Sequence, residues 1–153
     1  MKIDDLQTKP VFNQDKKTSL KFEIFQQLIN ELNKKDIPVA MVASINQDIE
    51  EINKFAGSDK ETLGLLKKKQ ESILKKLEKE LKFVTINHNR NLWLTLGMSA
   101  FGLPIGVAFG LSLGNLGLLG IGLPIGMGIG VALGTFLDKK AKAAGKQLEV
   151  ELK

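Results

Sequence analysis

FGLPIGVAFGLSLG, residues 101–114, recurs as IGLPIGMGIGVALG at residues 121–134, a period of twenty. Twenty apolar residues is about one helical crossing of a bilayer. The run from Leu92 to Leu137 around this repeat contains no Asp, Glu, Lys, Arg or His. Its 46 residues are about twice one crossing. Leu113-Gly114-Asn115-Leu116 is the one place in it with turn character. Splitting the run there predicts two antiparallel spans, 92–113 and 116–137, each about 33 Å long at 1.5 Å per residue. Small/large alternation is also a strand pattern. A barrel wall, however, needs a polar lumen face, and Pro104 and Pro124 would fall mid-strand. The expected fold is therefore all-α: a transmembrane helical hairpin carried by an N-terminal helical domain, in a homo-oligomer.

The repeat also prescribes how the spans pack. Gly102, Gly106, Gly110 and Gly114 return as Gly122, Gly126, Gly130 and Gly134. At four-residue spacing they form a groove that admits a neighbouring backbone, and lipid supplies no hydrophobic drive to hold helices together otherwise. A second small row lies two positions away, about 200° around each helix. Ala100, Pro104, Ala108 and Ser112 return there as Gly120, Pro124, Gly128 and Ala132. One face suits the partner span and the other an identical subunit. Pro104 and Pro124 lie near the bilayer midplane when counted from the turn. Each removes a helical hydrogen bond, which makes them hinge candidates.

The GLPIG repeats, Gly102–Gly106 and Gly122–Gly126, between basic flanks resemble the glycine-zipper small membrane proteins of bacteria over about residues 88–140. The Gly126-Met127-Gly128-Ile129-Gly130 texture is also similar to the ring-forming hairpin subunits of rotary ATPases. Those subunits carry a proton-binding carboxylate within the membrane, and the two spans here have none. The resemblance implies hairpins packed in a ring without proton translocation.

Outside the spans the chain is polar and mostly helical. Residues 1–17 have no apolar periodicity and read as a flexible arm able to dock on a partner. Residues 18–91 read as a cytosolic helical domain ending in a basic stalk. Leu20, Ile24, Phe25, Leu28, Ile29 and Leu32 stripe a first helix. Pro38 suits the first turn of a second, whose face is Met41, Val42, Ile45, Ile49, Ile52 and Phe55 before a stop at Gly57. Ser58 and Glu61 have capping-box spacing at the start of a third. Its stripe, Leu66, Ile73, Leu74, Leu77, Leu81 and Val84, continues with no Gly or Pro toward the first span, which predicts an unbroken stalk. Residues 138–153 read as a basic cytosolic tail.

Charge and composition bound the function. Lysines and Arg90 flank both spans, so both termini should lie in the cytoplasm of a bacterial inner membrane. His88, Arg90 and Trp93 fall at the interface and form a candidate collar around an oligomer. The stalk lysines face water or anionic lipid. A chain with no cysteine and one histidine offers no thiol chemistry and a poor transition-metal site. No catalytic constellation or phosphate loop appears, so neither an enzyme nor a cofactor is expected. Basic stretches without interleaved aromatics argue against nucleic acid. The expected function is a homo-oligomeric channel or pore assembled or gated by its cytosolic helices. The alternative is a membrane-anchored scaffold that clusters those helices for a cytosolic protein.

Overall fold

The computed structural model describes residues 2–13 and 16–152, all but the side chain of Leu116 among them. The chain divides into two compact units, Met1–Phe83 with Leu148–Lys153, and Val84–Gln147.

Three helices build the first unit: α1 (Lys16–Leu32), α2 (Val39–Lys54) and α3 (Asp59–Lys76). Their apolar stripes supply its core, with Phe25, Leu28, Ile45, Ile49, Ile52, Leu66 and Ile73 all buried. Full burial of such side chains contributes roughly 1.5–3 kcal/mol each. Leu20, expected on the α1 stripe, is instead 40% exposed. Phe22 takes the inward position and stacks on Phe12 with ring centroids 4.7 Å apart. The start of α3 carries the expected capping box. The Ser58 backbone N–H donates to Glu61 Oε2 at 2.9 Å, and the Glu61 N–H returns to Ser58 Oγ. Lys69 and Lys76 of α3 both reach the buried Asp48 of α2, at 2.8 and 3.2 Å. Two of the stalk lysines are thereby engaged within the unit.

The N-terminal segment is not a free arm here. Ile3, Leu6, Val11 and Phe12 are buried in the same core. Asparagine side chains satisfy its backbone in the manner of a neighbouring strand, since one planar amide both donates and accepts. Asn33 Oδ1 accepts from the Ile3 N–H at 2.8 Å while its Nδ2 donates to the Ile3 carbonyl at 3.2 Å. Asn46 does the same for Asp4 and Lys2, and Asn53 for Gln7 and Asp5. Asn46 and Asn53 are two turns apart on α2, so they share one face.

The unbroken stalk does not form. A π turn, Leu77–Leu81, follows α3, and Lys82 then turns into the left-handed region at φ 59°. The β-branched run Val84-Thr85-Ile86 prefers extended backbone and makes strand β1 (Val84–Ile86). Asn87, at φ 60°, turns the chain again into the next helix. The expected tail is likewise structured. Residues 138–143 finish a long helix, and Gly145, at φ 68°, ends it in a Schellman motif. The Lys146 N–H donates to the Ala141 carbonyl at 2.9 Å and the Gly145 N–H to that of Lys142 at 3.0 Å. Strand β2 (Gln147–Glu151) follows and gives Leu148 and Val150 to the core of the first unit.

The second unit is a helical hairpin. Its first arm runs as α4 (His88–Gly97), a π turn (Met98–Gly102) and α5 (Leu103–Ser112). Its second arm is α6 (Leu119–Ala143). The turn between them is longer than the two residues expected. Gly114 sits at φ 61°, the Asn115 N–H donates to the Gly110 carbonyl at 3.0 Å, and Leu116–Leu118 add a short 3₁₀ turn.

Candidate functional site

The two arms meet along glycine. Gly97, Gly102, Gly106 and Gly110 are buried on the first, and Gly122, Gly126, Gly130 and Gly134 on the second. A Cβ at Gly126 would lie 2.6 Å from the Gly102 Cα, and one at Gly122 would lie 2.7 Å from the Gly106 Cα. At Gly130 a Cβ would meet the main chain of Trp93, and at Gly134 it would sit 2.5 Å from the Arg90 Cα. Six of the eight glycines of the repeat, all but Gly110 and Gly114, therefore face the main chain of the other arm along one antiparallel seam. Gly114 does not; it has nothing within 4 Å and serves the turn. Gly97 extends the row in its place.

The π turn explains how Gly97 joins. It lies five residues before Gly102, one more than the repeat spacing, and a π turn accommodates that extra residue. The same turn directly precedes Pro104, whose missing N–H and bulky ring disfavour an ordinary α-turn upstream. Pro124 instead sits inside a continuous α6. The two hinge candidates thus occupy different local structures.

At the end of the hairpin away from the turn, Asp138 is buried. Its Oδ1 accepts from the Asn89 backbone N–H and from Asn89 Nδ2, and its Oδ2 accepts from the Arg90 N–H, all at 3.0 Å. These are first-turn donors of α4, whose N-cap Asn87 makes no side-chain cap of its own. A residue of α6 therefore caps α4 and ties the open end together. The sequence reading missed it because Asp138 lies one position outside the charge-free run. Of the collar candidates, His88 and Trp93 are half-buried and Arg90 is exposed, with its backbone tied to Asp138.

The outer faces are bare. Ala100, Pro104, Ala108 and Ser112 on the first arm are exposed, as are Gly120, Pro124, Gly128 and Ala132 on the second. A Cβ at Gly120 or Gly128 would meet nothing within 4 Å. Leu103, Val107, Phe109, Leu111, Ile121 and Ile125 are also exposed. His88–Ser112 and Leu119–Ala143 are each 25 residues long, with an 18-residue window of mean hydropathy 1.7, and so are long and apolar enough to cross a membrane. Only 22% of the most apolar window of each is buried, whereas a core helix of a water-soluble fold is mostly covered. Among the described residues no three His, Cys, Asp or Glu side chains converge as a metal site. Compared with known proteins, the chain matches no family model, no curated relative and no solved structure.

Proposed function

We propose that this is an integral membrane protein of the glycine-zipper kind, whose hairpins pack side by side into a homo-oligomeric pore. In this reading it resides in a bacterial cytoplasmic membrane with both termini on the cytoplasmic side, as the basic residues flanking both spans favour. The contrast between the two small-residue rows carries the proposal. Six glycines of the inner row meet the main chain of the other arm, while the outer rows expose Gly120 and Gly128 with nothing near them. Small residues on a lipid-facing helix invite close approach by another helix. The outer row of the first arm differs from that of the second, so neighbouring hairpins meet head to tail. Such contacts close into rings when the rotation permits. A ring of uncharged spans encloses a lumen of apolar side chains, backbone and the exposed hydroxyls Thr95, Ser99 and Ser112. It would gate by wetting and select poorly among ions.

The second reading is a membrane-anchored scaffold, in which the oligomer clusters the helical unit for a partner protein. It is favoured by the hydroxyls of the first arm. Thr95 Oγ1 donates to the Asn91 carbonyl at 3.3 Å, and Ser99 Oγ to the Thr95 carbonyl at 3.1 Å. Hydroxyls satisfied within their own helix need no water-filled lumen. Planar-bilayer recording of the purified protein separates the two. Reproducible unitary conductance supports the pore; oligomers that pass neither ions nor dye support the scaffold.

A further inference from the structure

The charged end of the hairpin carries two adjoining hollows. The first, about 430 Å³, has a mixed lining that includes Asn87, Arg90, Asp138, Lys139, Lys142 and Gln147. Three cations face it against one carboxylate, and the Asp138 oxygens are already occupied by the three N–H donors at 3.0 Å. The balance of the hollow is positive and rich in donors. The second hollow, about 580 Å³, is an apolar groove along α6 lined by Leu94, Met127, Gly128, Val131, Ala132 and Phe136. Thr135 and Lys139 border both hollows, so the charged one lies beside the apolar one.

We infer that the two adjoining hollows together hold one anionic glycerophospholipid, an inference that rests on the membrane reading of the hairpin. Its phosphate sits among Arg90, Lys139 and Lys142, and one acyl chain lies in the groove over Gly128 and Ala132. The charge order fits this occupant, with cations at the end where headgroups lie and only apolar lining deeper. Basic pockets beside transmembrane helices are a recurrent way of holding anionic headgroups. The length fits as well. From Lys139 to Met127 is about 18 Å of helix at 1.5 Å per residue, comparable to one leaflet of a hydrocarbon core about 30 Å thick. The absence of a side chain at Gly128 leaves the chain its bed. A free phosphate would use the charged hollow alone, and neighbouring copies meet deeper on the outer rows, around Gly120 and Ala108, leaving the groove over Gly128 to the lipid.

Native mass spectrometry of the full-length protein released from mild detergent tests this, because it reports lipid and subunit number together. Titrated with phosphatidylglycerol or phosphatidylcholine, the protein should retain the anionic lipid at least tenfold better. Lys139→Gln with Lys142→Gln should abolish that preference, and Gly128→Leu should weaken retention at least tenfold by filling the groove. Inorganic phosphate at millimolar concentration should not displace the lipid. Equal retention of the two lipids would overturn the inference, as would full displacement by phosphate with Gly128→Leu behaving as wild type. Retention of lipid only after the oligomer has fallen apart would mean that a second copy, rather than a lipid, fills the groove. A protein that never partitions into membranes would defeat the membrane reading itself, a separately visible result.

Discussion

Asp138 joins the open ends of the two arms by accepting the first-turn N–H groups of α4. Removing the acceptor leaves buried donors unmade, a loss of about 1–3 kcal/mol. Asp138→Ala should therefore speed amide exchange at Asn89 and Arg90 at least tenfold while leaving the Gly114 turn unchanged, and Asp138→Asn should do less. Unaltered exchange at both amides would remove the capping role. Glu61 makes a comparable local device at the start of α3. The Ser58 hydroxyl, and then its backbone N–H, hold the carboxyl below its ordinary value of 4.5. A depressed carboxylate contributes above its unfolded value and loses that contribution as pH falls through the folded one. The first turn of α3 should accordingly fray below about pH 4.5, as read from the Ser58 amide resonance, and Glu61→Gln should remove that acid step. The capping box is legible as a spacing of three residues. The Asp138 cap is not, because its partners lie 48 and 49 residues away and no local pattern joins them.

Gly126 and Gly128, two residues apart on α6, belong to opposite faces of the same element. A Cβ at Gly126 meets the Gly102 main chain, and one at Gly128 meets nothing. Gly126→Ala must push backbones apart, and overpacking of this kind typically costs about 1–3 kcal/mol. Gly128→Ala leaves the seam intact and gains helix propensity of up to about 1 kcal/mol. Reversible unfolding in detergent should show the first variant destabilised and the second neutral or stabilised. Equal effects would mean that the two rows do not differ in packing. The period of four made the rows themselves visible. The insertion of Gly97 was hidden, since its five-residue spacing becomes a continuation of the row only through the π turn at Met98–Gly102. The continuous stalk failed as an expectation for a related reason. Absence of Gly and Pro does not ensure continuity, because Lys82 and Asn87 both take left-handed backbone and β-branched residues lie between them.

At the level of the whole chain, the segregation of charge from the run Leu92–Leu137 separates two chemistries, and the structure divides into two units near those limits. The helices of the first unit follow their apolar stripes closely. The N-terminal segment was opaque because its ladder is made by Asn33, Asn46 and Asn53, polar side chains with no hydrophobic period. The C-terminal strand was masked by its short apolar pair, Leu148 and Val150, among charged neighbours. The central claim is that the seam holds each hairpin while the bare outer rows join neighbouring copies in the membrane. A chain without cysteine allows it to be tested by disulfide cross-linking. Gly122 lies between the levels of Gly102 and Gly106, so Gly120 and Ala108 are within about 4 Å in depth, at 1.5 Å per residue, on the two outer faces and clear of the groove over Gly128. The variant carrying both Ala108→Cys and Gly120→Cys, oxidised in native membranes and run under non-reducing conditions, should give a ladder of dimers, trimers and larger species. A monomer band alone, from protein that is membrane-inserted and shown to have both thiols reactive, would contradict the account.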